Sequence, residues 1–169
     1  MTQPPAPNVP SAQDLSKILD FISRCDDAVK LRLLIKNAKA QNNGVVESTA
    51  FRRLIALVPS AQPGSVEHDF WQTIHAFEES LSEERGKTTR LMRTRQKVQR
   101  VGVVKTLQDW AVDKKETDGF AMLLARGMPE MTGEAIVLRH PAHFDEETRA
   151  KARTKLENAK VDISSLPGT

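Results

Sequence analysis

The sequence predicts an all-α protein: a small multi-helix domain with an N-terminal helical hairpin unit and a longer basic helix in a C-terminal body. Three observations carry that prediction. Apolar residues recur at three- and four-residue spacing through most of the chain. Ser, Thr, Asp and Asn stand just ahead of those periodic runs, where they accept hydrogen bonds from the free N–H groups of a first helical turn. Strand signals are sparse, because tyrosine is absent and aromatics make up only 5% of residues. The short runs Val45-Val46 and Ala135 to Leu138 are the only strand candidates.

The elements follow in order. Leu15, Ile18, Leu19 and Ile22 form a helical stripe behind Ser11 and Asp14, which suit the first turn. "DDAVKLRLLIKNAKAQNNG" opens on two acids, favourable at the positive end of a helix dipole, and closes at Asn43-Gly44, where a left-handed cap costs little. A third helix is predicted from Ser48 to Leu57, closed by Val58-Pro59. The short Asn-Asn-Gly connection makes the second and third helices an antiparallel hairpin. Beyond it, Val66, Phe70, Ile74, Phe77 and Leu81 mark a helix that is expected to run through Gly86 into a basic segment. Val103, Val104, Leu107, Trp110 and Ala111 form the next stripe, and "DKKETDG" reads as a loop. Asp118 is the expected cap of "GFAMLLARG", Thr132 starts another helix, and Asp145 starts the last. Leu34, Leu54, Phe70, Ile74, Phe77, Leu107, Trp110, Phe120 and Leu124 are the expected core.

Two prolines and a glycine in "VPSAQPGS" separate these patterns. The expected organisation is a disordered tail over 1–11, the hairpin unit over 12–58, a linker over 59–65, the helical body over 66–163 and a flexible tail over 164–169. No second copy of the hairpin is present, so a solenoid is not indicated.

With 39% apolar and 28% charged residues, the composition is that of a water-soluble globular chain. No apolar run approaches the roughly 18 residues of a membrane span. "MTQPPAPNVPSAQ" has neither the cation nor the apolar stretch of a secretory signal, and Cys25 is the single cysteine, so a reducing, cytoplasmic location is expected. Cys25, close behind Ile22, reads as an inert buried thiol.

The net charge of +3 conceals a strong asymmetry. Arg85, Lys87, Arg90, Arg93, Arg95, Lys97, Arg100 and Lys105 place eight cations in a window without one acid; elsewhere 17 cations face 22 acids, a net of −5. On a continuous helix Lys87, Arg90, Arg93, Lys97 and Arg100 fall within an arc of about 140°, with Leu91 and Val98 beside it and Arg95 outside it. Glu83 stands four residues before Lys87, but the others lack an acid at helical spacing, and like charges three or four apart cost a few tenths of a kcal/mol per pair. Something should offset them. Nucleic-acid phosphates would, with release of counterions. The protein's own acids, such as Glu78, Glu79, Asp145, Glu146 or Glu147, would serve as well. Arginine outnumbers lysine five to two from Arg85 to Arg100, which favours forked phosphate contacts, and Thr88, Thr89 and Thr94 add hydroxyls. The segment lacks aromatic residues for stacking bases or anchoring in a membrane surface.

"MLLARGMPEMTGEAIVLRHP" (Met122 to Pro141) resembles a helix-turn-helix of the bacterial repressor kind, with Gly127 as turn glycine, Met128 following it, Thr132 early in the second helix and Ile136 as its core contact. It departs from that motif at Leu123, where a small residue is preferred, and at Gly133, where a branched apolar one is. His140 and His143, and His68 and His75, lack the spacing and the cysteine companions of a metal site. Asp113 and Lys115 are an acid and a lysine in a charged loop. No phosphate loop, nucleophile elbow or zinc-protease helix is present, so neither an enzyme nor a cofactor is predicted. The expected function is a nucleic-acid-binding regulatory or accessory protein that contacts phosphates through Lys87, Arg90, Arg93, Arg95, Lys97 and Arg100. The alternative is a helical adaptor that docks on an acidic protein partner through the stripe or the hairpin.

Overall fold

The computed structural model describes residues 11–57 and 61–169, and among them contains eight α-helices, three short 3-10 turns and no strand. Residues 1–10 of the expected 1–11 tail and the Val58-Pro59 helix stop lie outside the described residues. The chain divides into two compact units, residues 1–58 and 59–169.

The first unit holds α1 (Ala12–Arg24), α2 (Ala28–Ala40) and α3 (Gly44–Ala56). Each begins where a side chain replaces a missing intrahelical acceptor: Ser11 accepts from the Asp14 N–H, Asp27 from those of Val29 and Lys30, and Asn43 from that of Val46. The cap between α2 and α3 differs from the expected one. Asn42, with φ of 53°, takes the left-handed turn that Gly44 was expected to supply, and this frees Asn43 to cap α3. Helix α3 therefore begins at Gly44, four residues early, and absorbs the strand candidate Val45-Val46. Helices α2 and α3 pack on each other, and α1 packs on α3. Leu31, Ile35 and Ala38 of α2 and Val46, Ala50 and Leu54 of α3 are buried at helical spacing, each large aliphatic contributing roughly 1.5–3 kcal/mol. Leu34, expected in the core, is only half-buried. Cys25 is buried after α1, and its carbonyl accepts from Arg53 Nε at 2.8 Å.

The second unit comprises α4 (Val66–Arg85), α5 (Met92–Val112), α6 (Asp118–Ala125), α7 (Gly133–Arg139) and α8 (Glu146–Asn158). Ser65, Thr117, Thr132 and Asp145 cap α4, α6, α7 and α8 through hydrogen bonds of 2.7 to 3.2 Å; Thr117 takes the place expected of Asp118. Helix α7 sits at the centre, against α4, α5 and α8. Every residue from Gly133 to Leu138 is buried, so the second strand candidate is a core helix. Phe70, Ile74, Leu107, Phe120, Ile136 and Leu156 converge on it. Phe77, Trp110 and Leu124, expected in this core, are half-buried.

Two further expectations are corrected here. Helix α4 does not continue into the basic segment, because Gly86 adopts a left-handed conformation (φ 65°) and ends it. The C-terminal residues 164–169, expected as a flexible tail, are held. Leu166 is buried, Arg139 Nε donates to the Pro167 carbonyl at 3.0 Å, and Thr169 Oγ1 donates to the Ile163 carbonyl at 3.0 Å.

Candidate nucleic-acid interface

The eight cations from Arg85 to Lys105 do not lie along one helix. Gly86 stops α4, and Lys87 to Leu91 form a strap lying back on it: the Thr89 N–H donates to Ser82 Oγ at 2.8 Å, and the Leu91 N–H donates to Glu78 Oε1 at 2.8 Å. Helix α5 starts at Met92. Lys87 and Arg90 are therefore not aligned with Arg93, Lys97 and Arg100, and the five-residue stripe is divided at the strap.

Glu78 is the first of two carboxylates that organise the segment. It is 5% exposed, and Arg95 meets it with two parallel hydrogen bonds, Nε to Oε1 at 2.8 Å and Nη2 to Oε2 at 2.7 Å. The same guanidinium lies 5.1 Å over the Trp71 ring, so Arg95 is clamped on two sides. Arg90 Nη1 stands 3.7 Å and His75 Nδ1 3.9 Å from Glu78 Oε2. Burial by itself raises the Glu78 pKa, but the hydrogen bonds from Arg95 and Leu91 and the charges of Arg95 and Arg90 outweigh it and hold the carboxyl below its ordinary value. Burial lowers the His75 pKa; Glu78 opposes that shift, while Arg95 and Arg90 add to it.

Asp109 is the second carboxylate. Lys97 Nζ lies 2.8 Å from its Oδ2 and Lys105 Nζ 2.8 Å from its Oδ1. Lys97 and Asp109 are twelve residues apart, about 18 Å along a straight helix, too far for such a contact. Gly102 removes the distance. Its φ of 83° and ψ of 170° interrupt α5 and turn the segment before it back on the one after. The hydrogen bonds of Lys105 and Lys97 lower the Asp109 pKa.

Arg85, Lys87, Arg93 and Arg100 are exposed and make no ion pair among the described residues. On the first segment of α5, Thr94, Arg95, Lys97 and Val98 are shielded to some degree, as is Leu91 just before it, whereas Met92, Arg93, Gln96, Gln99 and Arg100 are exposed. The outward face thus presents two arginines seven residues apart with glutamines between them. Two carboxylates are shared among four of the eight cations, and the other four remain without an ion pair among the described residues.

Glu78 was among the acids the sequence suggested as partners. Asp109 was not, although its four-residue spacing from Lys105 is legible; its contact with Lys97 depends on the kink. The helix-turn-helix resemblance fails in three dimensions. Seven residues, including the 3-10 turn Pro129–Met131, separate α6 from α7, and the would-be recognition helix is buried along Gly133 to Leu138. Gly133, out of place in that motif, is required here, since a Cβ on it would lie 2.9 Å from Trp110 Cε3.

The histidines have local roles. His140 Nε2 lies 2.8 Å from Asp69 Oδ2, which also accepts from Arg139 Nη1 at 2.8 Å, and His68 Nδ1 lies 3.2 Å from the Ala61 carbonyl. His143 lies with its ring centre 6.3 Å from that of His140. No group of three or more His, Cys, Asp or Glu suited to a metal ion occurs among the described residues. Asp113 Oδ1 accepts from the Lys115 N–H in a local turn. No helix among the described residues is long and apolar enough to cross a membrane. No family model, curated protein or solved structure matches this chain.

Proposed function

We propose that the protein is a non-enzymatic nucleic-acid-binding accessory or regulatory protein of the cytoplasm, and that it grips phosphates with the outward face of α5. The observation that carries this reading is the exposure of Arg93 and Arg100, one helix face, seven residues apart, both without an ion pair among the described residues. Two of the expected contacts are engaged within the protein. Arg95 is committed to Glu78 and Trp71, and Lys97 shares Asp109 with Lys105. Arg93 and Arg100 are then the primary phosphate contacts, Lys87, Arg90 and Lys97 supply longer-range attraction, and Arg95 positions the strap. Gln96 and Gln99 offer neutral hydrogen bonds between them.

The test is the salt dependence of binding to labelled duplex DNA and RNA, read by fluorescence anisotropy from about 50 to 200 mM salt. Arg93→Gln/Arg100→Gln is expected to lower the magnitude of the logarithmic salt slope by about two and to weaken all sequences alike. Unaltered binding by that variant, or no binding by the parent at the upper salt limit, overturns the reading.

A second reading rests on the first unit. Val29 and Leu33, one turn apart on α2, are 73% and 57% exposed, with Lys30 between them. Such a face suits an adaptor that takes an apolar helix bearing acids on its flanks. Val29→Ser/Leu33→Ser would abolish capture of an acidic amphipathic peptide while leaving nucleic-acid binding unchanged.

A further inference from the structure

We propose that a cavity in the second unit is a binding site for a small organic ammonium ion. The cavity has a volume of about 220 Å³. An apolar protein cavity of about 150 Å³ holds benzene, so there is room for a compact ligand of somewhat larger size. Phe77, Trp110 and Phe120 provide aromatic walls, and Asp118 and Glu134 line the same space.

The walls are built to stay apart. Phe77 and Trp110 occupy core positions of their helical stripes, yet both remain half-buried because each borders the cavity. Trp110 stacks on Phe70 with ring centres 5.5 Å apart and cannot swing inward freely. On its other flank it rests against Gly133, where a Cβ would meet it at 2.9 Å; a Cβ on Gly119 would meet Phe77 at 3.2 Å. Trp110 is thus held between Phe70 and the Gly133 backbone and Phe77 lies against the Gly119 backbone, so the space between the two rings is preformed.

The charge around this space selects the ligand. Glu134 is 2% exposed, and its ion pair is loose: Lys155 Nζ lies 3.3 Å from Oε1 while donating at 2.6 Å to the Trp110 carbonyl. Glu116 acts on Glu134 as a like charge, and Asp118 stands exposed at the rim. Two carboxylates, Glu134 and Asp118, therefore line the space against the one ammonium group of Lys155, and Glu116 adds negative charge from outside the lining. An anion would be repelled and a neutral apolar ligand would leave the excess uncompensated, whereas an ammonium ion meets both the carboxylates and the negative faces of the rings. Burial holds the Glu134 carboxyl above its ordinary range, opposed by Lys155 and reinforced by Glu116. A cation in the cavity favours its ionised form.

The experiment uses the full chain and two probes of the same shape, choline and its uncharged carbon isostere 3,3-dimethylbutan-1-ol, at constant ionic strength. Binding is read from tryptophan fluorescence, with Trp110→Phe separating the Trp110 signal from that of Trp71. Choline should bind saturably at neutral pH, and the isostere about tenfold more weakly. Choline affinity should fall as Glu134 becomes protonated on acidification, while that of the isostere stays constant. Glu134→Gln should remove this pH dependence. Asp118→Asn, an exposed position whose replacement leaves the core intact, should weaken choline several-fold and spare the isostere. Equal binding of both probes, a pH-independent choline affinity, or no saturable signal from choline would each overturn the proposal.

Discussion

Lys97 Nζ and Asp109 Oδ2 lie 2.8 Å apart although they belong to one nominal helix and are separated by twelve residues. The contact exists because α5 is two helical segments joined at Gly102, and the pair bridges the angle between them. The kink decides which face of the first segment turns outward, and so which cations remain available for a partner.

Gly102→Ala should therefore do more than destabilise. The φ of 83° with ψ of 170° is a region populated almost solely by glycine, and no atom stands within 4 Å of the site, so the cost is conformational, on the order of 1–3 kcal/mol. If the segment straightens in response, Lys97 leaves Asp109. Thermal unfolding gives the first effect, and the Lys97 side-chain resonances give the second.

Glu78→Gln should cost about 2 to 3 kcal/mol in denaturant unfolding. Truncating one partner of a fully buried pair costs roughly 3–5 kcal/mol, and the Arg95 side chain retains 25% exposure, which moderates the loss. The strap should loosen as well, with faster amide exchange at Leu91, whose N–H depends on the same carboxylate.

Acidification should destabilise the second unit through Glu78 and Asp69. At Asp69, burial raises the pKa, but hydrogen bonds from Arg139 and His140 outweigh it and leave it below the ordinary 3.8. Glu78 lies below its ordinary 4.5. A carboxyl with a depressed folded pKa stabilises fully above its unfolded value and loses that contribution as pH falls through the folded one. Stability should thus decline from about pH 4.5 downward, and Glu78→Gln should flatten the decline. Glu134 has the opposite sign. Its raised pKa means a contribution that is present below 4.5 and lost as pH rises through the folded value, so Glu134→Gln should gain stability relative to the parent at neutral pH.

Gly133→Ala should destabilise by about 1 to 3 kcal/mol, because its Cβ would stand 2.9 Å from Trp110 Cε3 and 3.4 Å from Leu107 Cδ2 inside a packed core. Pairing it with Trp110→Ala should recover part of this cost in a double-mutant cycle. Simple additivity would show that the ring is not what meets the new methyl group.

Leu166→Ala should lower stability by about 2 kcal/mol, since a buried aliphatic is lost from the edge of the core. A freely moving tail would show no effect in the same denaturant titration.

The sequence by itself determined the helical class, most helix starts and the apolar faces, because these depend on interactions within one or two turns. Ser11, Thr132 and Asp145 were legible as caps for that reason, as was the stripe Val66, Phe70 and Ile74. Competition between neighbours was less legible: Asn42 rather than Gly44 takes the left-handed turn, and Thr117 rather than Asp118 caps α6. Only the tertiary structure decided the fate of the basic segment. Charge counting finds eight cations in a window without an acid, but Coulomb partners act across space: Glu78 reaches Arg90 and Arg95 from an adjacent helix, and Asp109 reaches Lys97 from beyond a kink. The same holds for Phe77 and Trp110. Their spacing marks them as apolar, but whether a ring packs solidly or borders a cavity depends on the backbone opposite it, and Gly119 and Gly133 supply that backbone from distant points in the chain.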